Sequence, residues 1–161
     1  GGAASGELAS SMAGSLVLDE LRQRWSEAPP SGQRFAEALR DATVHANTRI
    51  HQHARENPEH RGMGTTATVA GLLRDTLFVV QVGDSRAYLI REGQARQLTK
   101  DQSLMQRLVE AGELTPEEAE VSDRRNIILQ ALGPEAHVTV DITHQQLRRG
   151  DMLLLCSDGL S

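Results

Sequence analysis

Two hydrophobic periods divide this chain. Up to about residue 57 the apolar positions recur at helical spacing, and from Met63 they alternate or run together as strands do. Leu18, Leu21 and Trp25 fall at i, i+3 and i+7, which predicts an amphipathic helix after the small, flexible opening GGAASGELASS. The paired prolines and glycine of SEAPPSG predict a loop over Ser26 to Gly32. A second helix follows, with Ser31 as its cap and Phe35, Leu39, Ala42, Ala46 and Ile50 on one face. It should stop near Asn57-Pro58, because proline disfavours helical backbone in the residue before it.

Beyond Met63, TTATVAGLL, TLFVVQV, RAYLI and ARQL are short and rich in β-branched or large apolar residues. Arg74-Asp75, Gly83-Asp84 and Glu92-Gly93 separate them, which predicts a meander of antiparallel strands. The stretch from Leu98 to Asn126 reads as two short helices. Ser103 caps the first and Gly112 stops it, while Thr115, Pro116 and Glu118 open the second as a capping box. HVTVDITHQQL and DMLLLCS are the last two strands, turned at Arg149-Gly150-Asp151. Helices with one apolar stripe, beside strands apolar on both faces, imply two packed sheets with helices outside.

Composition narrows the function classes. The 161 residues suffice for one domain with a real core. A net charge of -5 offers no basic field to nucleic acid or acidic lipid. One tryptophan, one tyrosine and two phenylalanines cannot build base-stacking platforms. The single cysteine, Cys156, lies in an apolar run and is expected to be a small buried hydrophobe rather than a reactive thiol. The apolar runs are of strand length and the opening lacks a signal-peptide pattern, so a soluble cytoplasmic protein with no membrane segment is expected.

Candidate chemistry concentrates where strands end. Leu77–Val82 runs into Gly83 and Asp84, and Met152–Cys156 runs into Ser157, Asp158 and Gly159. Carboxylates on rigid strand ends suit hard cations such as Mg²⁺ and Mn²⁺, which take oxygen ligands and keep several waters. Gly-Asp and Asp-Gly are also common turn formers, so the residues alone leave open a turn or a metal site. Of the six histidines, those on helices read as solvated; His51 and His53, two apart on a helix, point to different faces. Arg61 to Thr66 is glycine-rich, but it lacks the lysine and spacing of a phosphate loop and reads as a bent strand entry. Glu117 and Glu118 complement a helix start.

Taken in order, GGAASGELAS, GMGTTATVAGL, VVQVGDSRAYLI, LTKDQSLMQRLVEAGELTPEEA, RRNIILQALG and GDMLLLCSDGLS resemble successive motifs of the metal-dependent Ser/Thr protein phosphatases of type 2C, bacterial branch. The resemblance spans nearly the whole chain and is weakest over the second helix. It implies an α+β fold, a four-layer α-β-β-α sandwich of two antiparallel sheets with outer helices. It also implies hydrolysis of phosphoserine and phosphothreonine in proteins by a water bridging two divalent cations, Mn²⁺ or Mg²⁺, with a third, weaker cation in bacterial members. Asp158 matches a direct ligand of the two-metal centre, and so the catalytic carboxylate. Asp84 matches a ligand of the third metal, and Asn126 falls where the flap approaches it. Leu104 to Arg125 match the flap, an insertion held to influence substrate choice, with Arg124 and Arg125 as its candidate contacts. The flap is expected to be more mobile than the strands. The partners implied are phosphoprotein substrates and a cognate Ser/Thr kinase.

The sequence departs from the family pattern in places. The usual His-Pro of the flap is Ser122-Asp123 here. In the family a metal-binding Asp-Gly comes just before the residues matching Gly1-Gly2, a phosphate-binding arginine earlier still, and another metal-binding Asp after the position of Ser161. The expectation is a single catalytic domain of which 1–161 is the middle, cut at both ends. Two alternatives stand beside an active parent enzyme: a pseudophosphatase or phosphoprotein-binding module without catalysis, and a structural fragment.

Overall fold

The computed structural model describes residues 4–25 and 31–160. In chain order it contains α1 (Ala4–Arg24), α2 (Gly32–Glu56), a 3₁₀ turn (Pro58–His60), β1 (Ala67–Leu73), β2 (Thr76–Val82), β3 (Arg86–Arg91), β4 (Gln94–Gln97), α3 (Leu104–Glu110), α4 (Pro116–Val121), β5 (Asp141–Gln146) and β6 (Met152–Cys156). The expected loop at Ser26–Gly32 lies largely outside the described residues.

The helices follow their caps. Ser31 accepts from the Arg34 amide, and α2 stops at Glu56 before Pro58, as the proline requires. Its expected face, Phe35, Leu39, Ala42, Ala46 and Ile50, is wholly buried. In α1 two expectations are corrected. The opening is helical already from Ala4, since alanine is the best helix former and serine is tolerated. The buried stripe is Ala9, Ala13, Val17 and Leu21, while Leu18 is 53% exposed. Leu18 sits about 100° round the helix from Val17. Ala9 and Ala13 of α1 share one buried cluster with Ala38, Ala42 and Ala46 of α2. Trp25 closes the pair by stacking on Phe35 at 4.9 Å between ring centroids.

The strands form two antiparallel three-stranded sheets, ordered β1-β2-β5 and β4-β3-β6. The expected single meander is therefore two hairpins. The chain leaves one sheet after β2 and enters the other at β3, crossing over Gly83, Asp84 and Ser85. Strand β2 explains its own apolar run. Phe78, Val80 and Val82 pack towards the helices, whereas Leu77 and Val79 pack on Ala87 of the second sheet. Described residues thus form three of the four expected layers, with helices on the first sheet only. Strand β6 lies at the edge of the second sheet, and Met152, Leu153, Leu154 and Leu155 are all exposed.

Three further expectations need adjusting. The strand expected over HVTVDITHQQL forms only at Asp141–Gln146. Upstream, side chains take the backbone groups that a ladder would use: Gln130 Oε1 accepts from the Thr139 amide (3.0 Å) and Gln102 Nε2 donates to its carbonyl (3.0 Å). The helical histidines are not all solvated, since His51 Nδ1 donates to the Gly133 carbonyl (2.8 Å) and Ser5 bonds to His60 Nδ1 (3.3 Å). Cys156 is a free, half-buried thiol rather than a buried one.

One ion pair ties the end of β3 to the β5–β6 turn. Arg91 donates through Nε and Nη2 to both oxygens of Asp151 (2.9 and 2.7 Å), which also accepts from the Arg148 amide (2.7 Å). The Arg91 hydrogen bond, chiefly, holds the Asp151 carboxyl down at about 2. Such a carboxylate stabilises the fold above its unfolded pKa of about 4, and that contribution is lost as pH falls through the folded value. Urea melts of the native chain and Asp151→Asn should therefore differ at pH 5 and converge by pH 2.

Candidate metal centre

The register of the second sheet brings the two singled-out aspartates together. Strands β3 and β6 are antiparallel, with Arg86 opposite Cys156. Continuing that register two residues sets Asp84, just before β3, opposite Asp158, just after β6. Both lie at one end of the sheet, Asp84 half-buried and Asp158 exposed.

The crossover that carries Asp84 is built tightly. Gly83 has φ +98°, and a Cβ there would stand 2.5 Å from Thr66 Cγ2 and 3.2 Å from the Gln130 carbonyl oxygen, so only glycine fits. From the buried side Gln81, 2% exposed, donates through Nε2 to the Gly83 carbonyl (2.8 Å) and to the Ser85 carbonyl. Its Oε1 accepts from the Thr68 hydroxyl (2.6 Å), and the Ser85 hydroxyl bonds to that of Thr66. From the other side Gln102 Oε1 accepts from the Gly83 amide (2.7 Å).

A third carboxylate, Asp101, was not evident from the sequence, where it reads as part of the polar run before the Ser103 cap. Arg86 grips it through Nε and Nη2 (2.9 and 2.7 Å) and also donates to the Tyr88 hydroxyl (3.0 Å). Asp101 in turn holds the guanidinium above its usual range. Burial, then the charge of Asp101, and more weakly that of Asp158, push the Asp84 carboxyl above the ordinary range. Its own backbone hydrogen bond and Arg86 pull the other way. Negative charge is therefore concentrated at this end of the sheet, beyond what Arg86 neutralises.

The segment expected to be the flap stands beside this corner. Its two ends are joined by the Ser103–Ile128 bridge, and Met105 is the one buried residue recorded in α3 and α4. The capping box at Thr115 and Glu118 forms as expected. Arg124, Arg125 and Asn126 are exposed on the returning segment. Arg125 Nη1 donates to the Ser122 carbonyl (2.9 Å). Among the described residues no hydrogen bond joins Asn126 to Asp84.

The donors present fit a hard divalent cation in kind. Asp84 and Asp158 offer carboxylate oxygens from opposed strand ends, and a cation near Asp84 would offset the burial and the charges of Asp101 and, more weakly, Asp158 that raise it. In number they are part of a ligand set, since among the described residues no group of three or more His, Cys, Asp and Glu side chains converges as a metal site.

The sequence profile of the protein phosphatase 2C family matches residues 2–161. The chain belongs to that family. A serine/threonine protein phosphatase, PstP of Mycobacterium tuberculosis, is 42% identical over 163 residues, covering 100% of this chain and 30% of the relative. The serine/threonine phosphatase stp of Listeria welshimeri is 37% identical over all of this chain and 63% of its own length. Among solved structures, the M. tuberculosis PstP/Ppp phosphatase superposes with a TM-score of 0.86 at 38% identity, over 100% of this chain and 66% of that one. The PstP catalytic domain in complex with two manganese ions matches with a TM-score of 0.82 at 37% identity, over 100% of this chain and 64% of that one. The chain thus spans between about a third and two thirds of the length of these phosphatase 2C relatives. Its two antiparallel sheets and helices are the phosphatase 2C arrangement. Among the described residues no helix is long and apolar enough to cross a membrane.

Proposed function

We propose that this chain carries part of the catalytic centre of a metal-dependent protein phosphatase that hydrolyses phosphoserine and phosphothreonine in proteins. The observation that carries the reading is the convergence of Asp84 and Asp158 at one end of the β4-β3-β6 sheet, through the β3–β6 register. The relatives named as serine/threonine phosphatases, matched over the whole chain, support it, as does the manganese-bound PstP structure. In this reading Asp158 holds the two-metal centre, Asp84 a third and weaker cation, and Asn126 approaches the latter from the flap. Asp84 and Asp158 are then part of a ligand set rather than the whole of it. Bound Mn²⁺ or Mg²⁺ supplies a lowered water pKa and neutralises charge on the phosphoryl group, with no covalent enzyme intermediate.

This chain's own residues prepare that corner. Arg86 holds Asp101 by two hydrogen bonds, which leaves Asp84 and Asp158 as the carboxylates available to a cation. The glycine crossover fixes the backbone on either side of Asp84. On the flap, residues 104–125, Arg124 and Arg125 offer positive charge to a phosphopeptide. A cognate Ser/Thr kinase as the opposing partner, a role in signalling and a cytoplasmic setting complete the reading.

The test is hydrolysis of a phosphothreonine peptide and of a small aryl phosphate by the natural-length protein, with Mn²⁺, with Mg²⁺ and with EDTA. Metal-dependent turnover abolished by EDTA is expected, while residues 1–161 alone should show none. The Arg124→Ala/Arg125→Ala variant should lose peptide turnover more than aryl phosphate turnover. Turnover indifferent to EDTA would overturn the metal-dependent reading, and binding of the peptide without hydrolysis would put the phosphoprotein-binding module in its place.

A further inference from the structure

Gln102 makes hydrogen bonds to three separate parts of the molecule at once. Its Oε1 accepts from the Gly83 amide (2.7 Å), and its own amide donates to the Gly83 carbonyl (3.0 Å), so the residue before Asp84 is gripped at both backbone groups. Its carbonyl accepts from the Leu129 amide (2.8 Å). Next to that bond, the Ser103–Ile128 bridge and the Leu104 amide, donating to the Ile127 carbonyl (3.0 Å), close the base of the flap. Finally, its Nε2 donates to the Thr139 carbonyl (3.0 Å) and to Asp141 Oδ2 (3.1 Å) at the entry to β5.

We propose that Gln102 is a positioning residue for Asp84, through which the base of the flap and the carboxylate-bearing crossover move as one unit. The proposal rests on the reading of Asp84 as a cation ligand. The geometry leaves the crossover little other freedom. Gln81 holds the Gly83 and Ser85 carbonyls from the buried side. Thr66 and the Gln130 carbonyl fill the space where a Gly83 side chain would go. A shift of the returning segment at Leu129 therefore pulls on Gln102, and Gln102 pulls on Gly83. Hydrogen bonds in a partly buried network reinforce one another, so losing one member loosens the others. A ligand carboxylate oriented by its neighbours binds a cation more tightly than one that must be ordered on binding. Coupling of this kind runs both ways: a cation at Asp84 steadies the flap base, and a settled flap base favours the cation.

Gln102→Met keeps the length of the side chain and removes its hydrogen bonds, while the backbone bonds at residue 102 remain available. Gln102→Glu keeps an acceptor for the Gly83 amide but loses the donor to Thr139 and Asp141. Both should be made in the natural-length protein and checked by thermal melt for a cooperative fold. The readouts are the affinity of the weakest-bound Mn²⁺, followed by electron paramagnetic resonance, and amide hydrogen exchange at residues 83–85 and 127–129. In the native protein Mn²⁺ should slow exchange in both segments. In Gln102→Met the weakest Mn²⁺ should bind about fivefold less tightly, the equivalent of one hydrogen bond of ~1 kcal/mol. Protection of 127–129 by Mn²⁺ should fall below the native level, and by more than protection of 83–85, because only the backbone bonds through residue 102 are left to carry it. Gln102→Glu should retain more of the Mn²⁺ affinity than Gln102→Met. Unchanged affinity together with native protection at 127–129 in Gln102→Met overturns the proposal and leaves the Asp84 reading standing. If Asp84→Asn leaves every Mn²⁺ affinity and the native protection unaltered, Asp84 is not a ligand, and the proposal falls with that reading.

Discussion

Asp158→Ala in the natural-length protein is expected to lower Mn²⁺-dependent hydrolysis of a phosphothreonine peptide by about a thousandfold, or ~4 kcal/mol of barrier at 1.36 kcal/mol per decade. The side chain is exposed beyond the end of β6, so its removal takes nothing from the core. The loss should therefore come without a fall in melting temperature measured in the absence of metal. Asp84→Ala should behave differently. Activity should drop by about tenfold or less, and the larger change should be in the Mn²⁺ concentration needed, as for a peripheral cation. Burial and neighbouring carboxylates disfavour the charge of Asp84, so deleting it should leave the metal-free melt unchanged or raised. Equal and complete loss in both variants would refute the division between a core and a peripheral cation. Unchanged turnover in Asp158→Ala would remove that residue from the centre.

The largest effect on stability is expected at Gly133. Its φ is +111°, and a Cβ there would stand 2.6 Å from Ile50 Cγ2 and 2.6 Å from the Met63 carbonyl oxygen. The first neighbour is fully buried on α2, and the second is backbone; neither can swing aside. The same glycine is pinned by hydrogen bonds on both sides. Its amide donates to Asn47 Oδ1 (2.7 Å), and its carbonyl accepts from His51 (2.8 Å). Gly133→Ala thus combines left-handed strain of about 1–2 kcal/mol with overpacking of about 1–3 kcal/mol. A total of ~3–4 kcal/mol is a large fraction of an ordinary domain's stability, and at this size implies a fall in Tm of about 10 °C. A denaturation curve showing a loss below ~1 kcal/mol would mean that the α2 to Met63 packing is looser than these distances state.

Both predictions turn on pairs distant in sequence, which marks where sequence reading stops. Helix α2 was legible to its ends, because Ser31, the stripe from Phe35 to Ile50 and Pro58 are local signals that agree with one another. The Thr115–Glu118 capping box and the strand-turning glycines were legible for the same reason. In α1 the signal misled. Alanine carries little hydrophobic contrast, so Leu18 outweighed Ala9 and Ala13, although close approach to α2 favours the small residues. Periodicity could mark HVTV as strand material, but it could not foresee that Gln130 and Gln102 would satisfy Thr139 in place of a neighbouring strand.

The sequence by itself determined the order of elements, two packed sheets with helices outside, the family, and Asp84 and Asp158 as the carboxylates to watch. Each of these follows from local pattern or from motifs read in order. Only the tertiary structure decided that the apparent meander splits at Gly83 into two sheets. It alone set Asp84 opposite Asp158 across the β3–β6 register, and brought Asp101 and Arg86 beside them. It also revealed Gln81 and Gln102 on either side of the crossover. The physical reason is that strand pairing and side-chain hydrogen bonding act between residues far apart in the chain. A one-dimensional pattern records which groups need partners, and packing selects the partners.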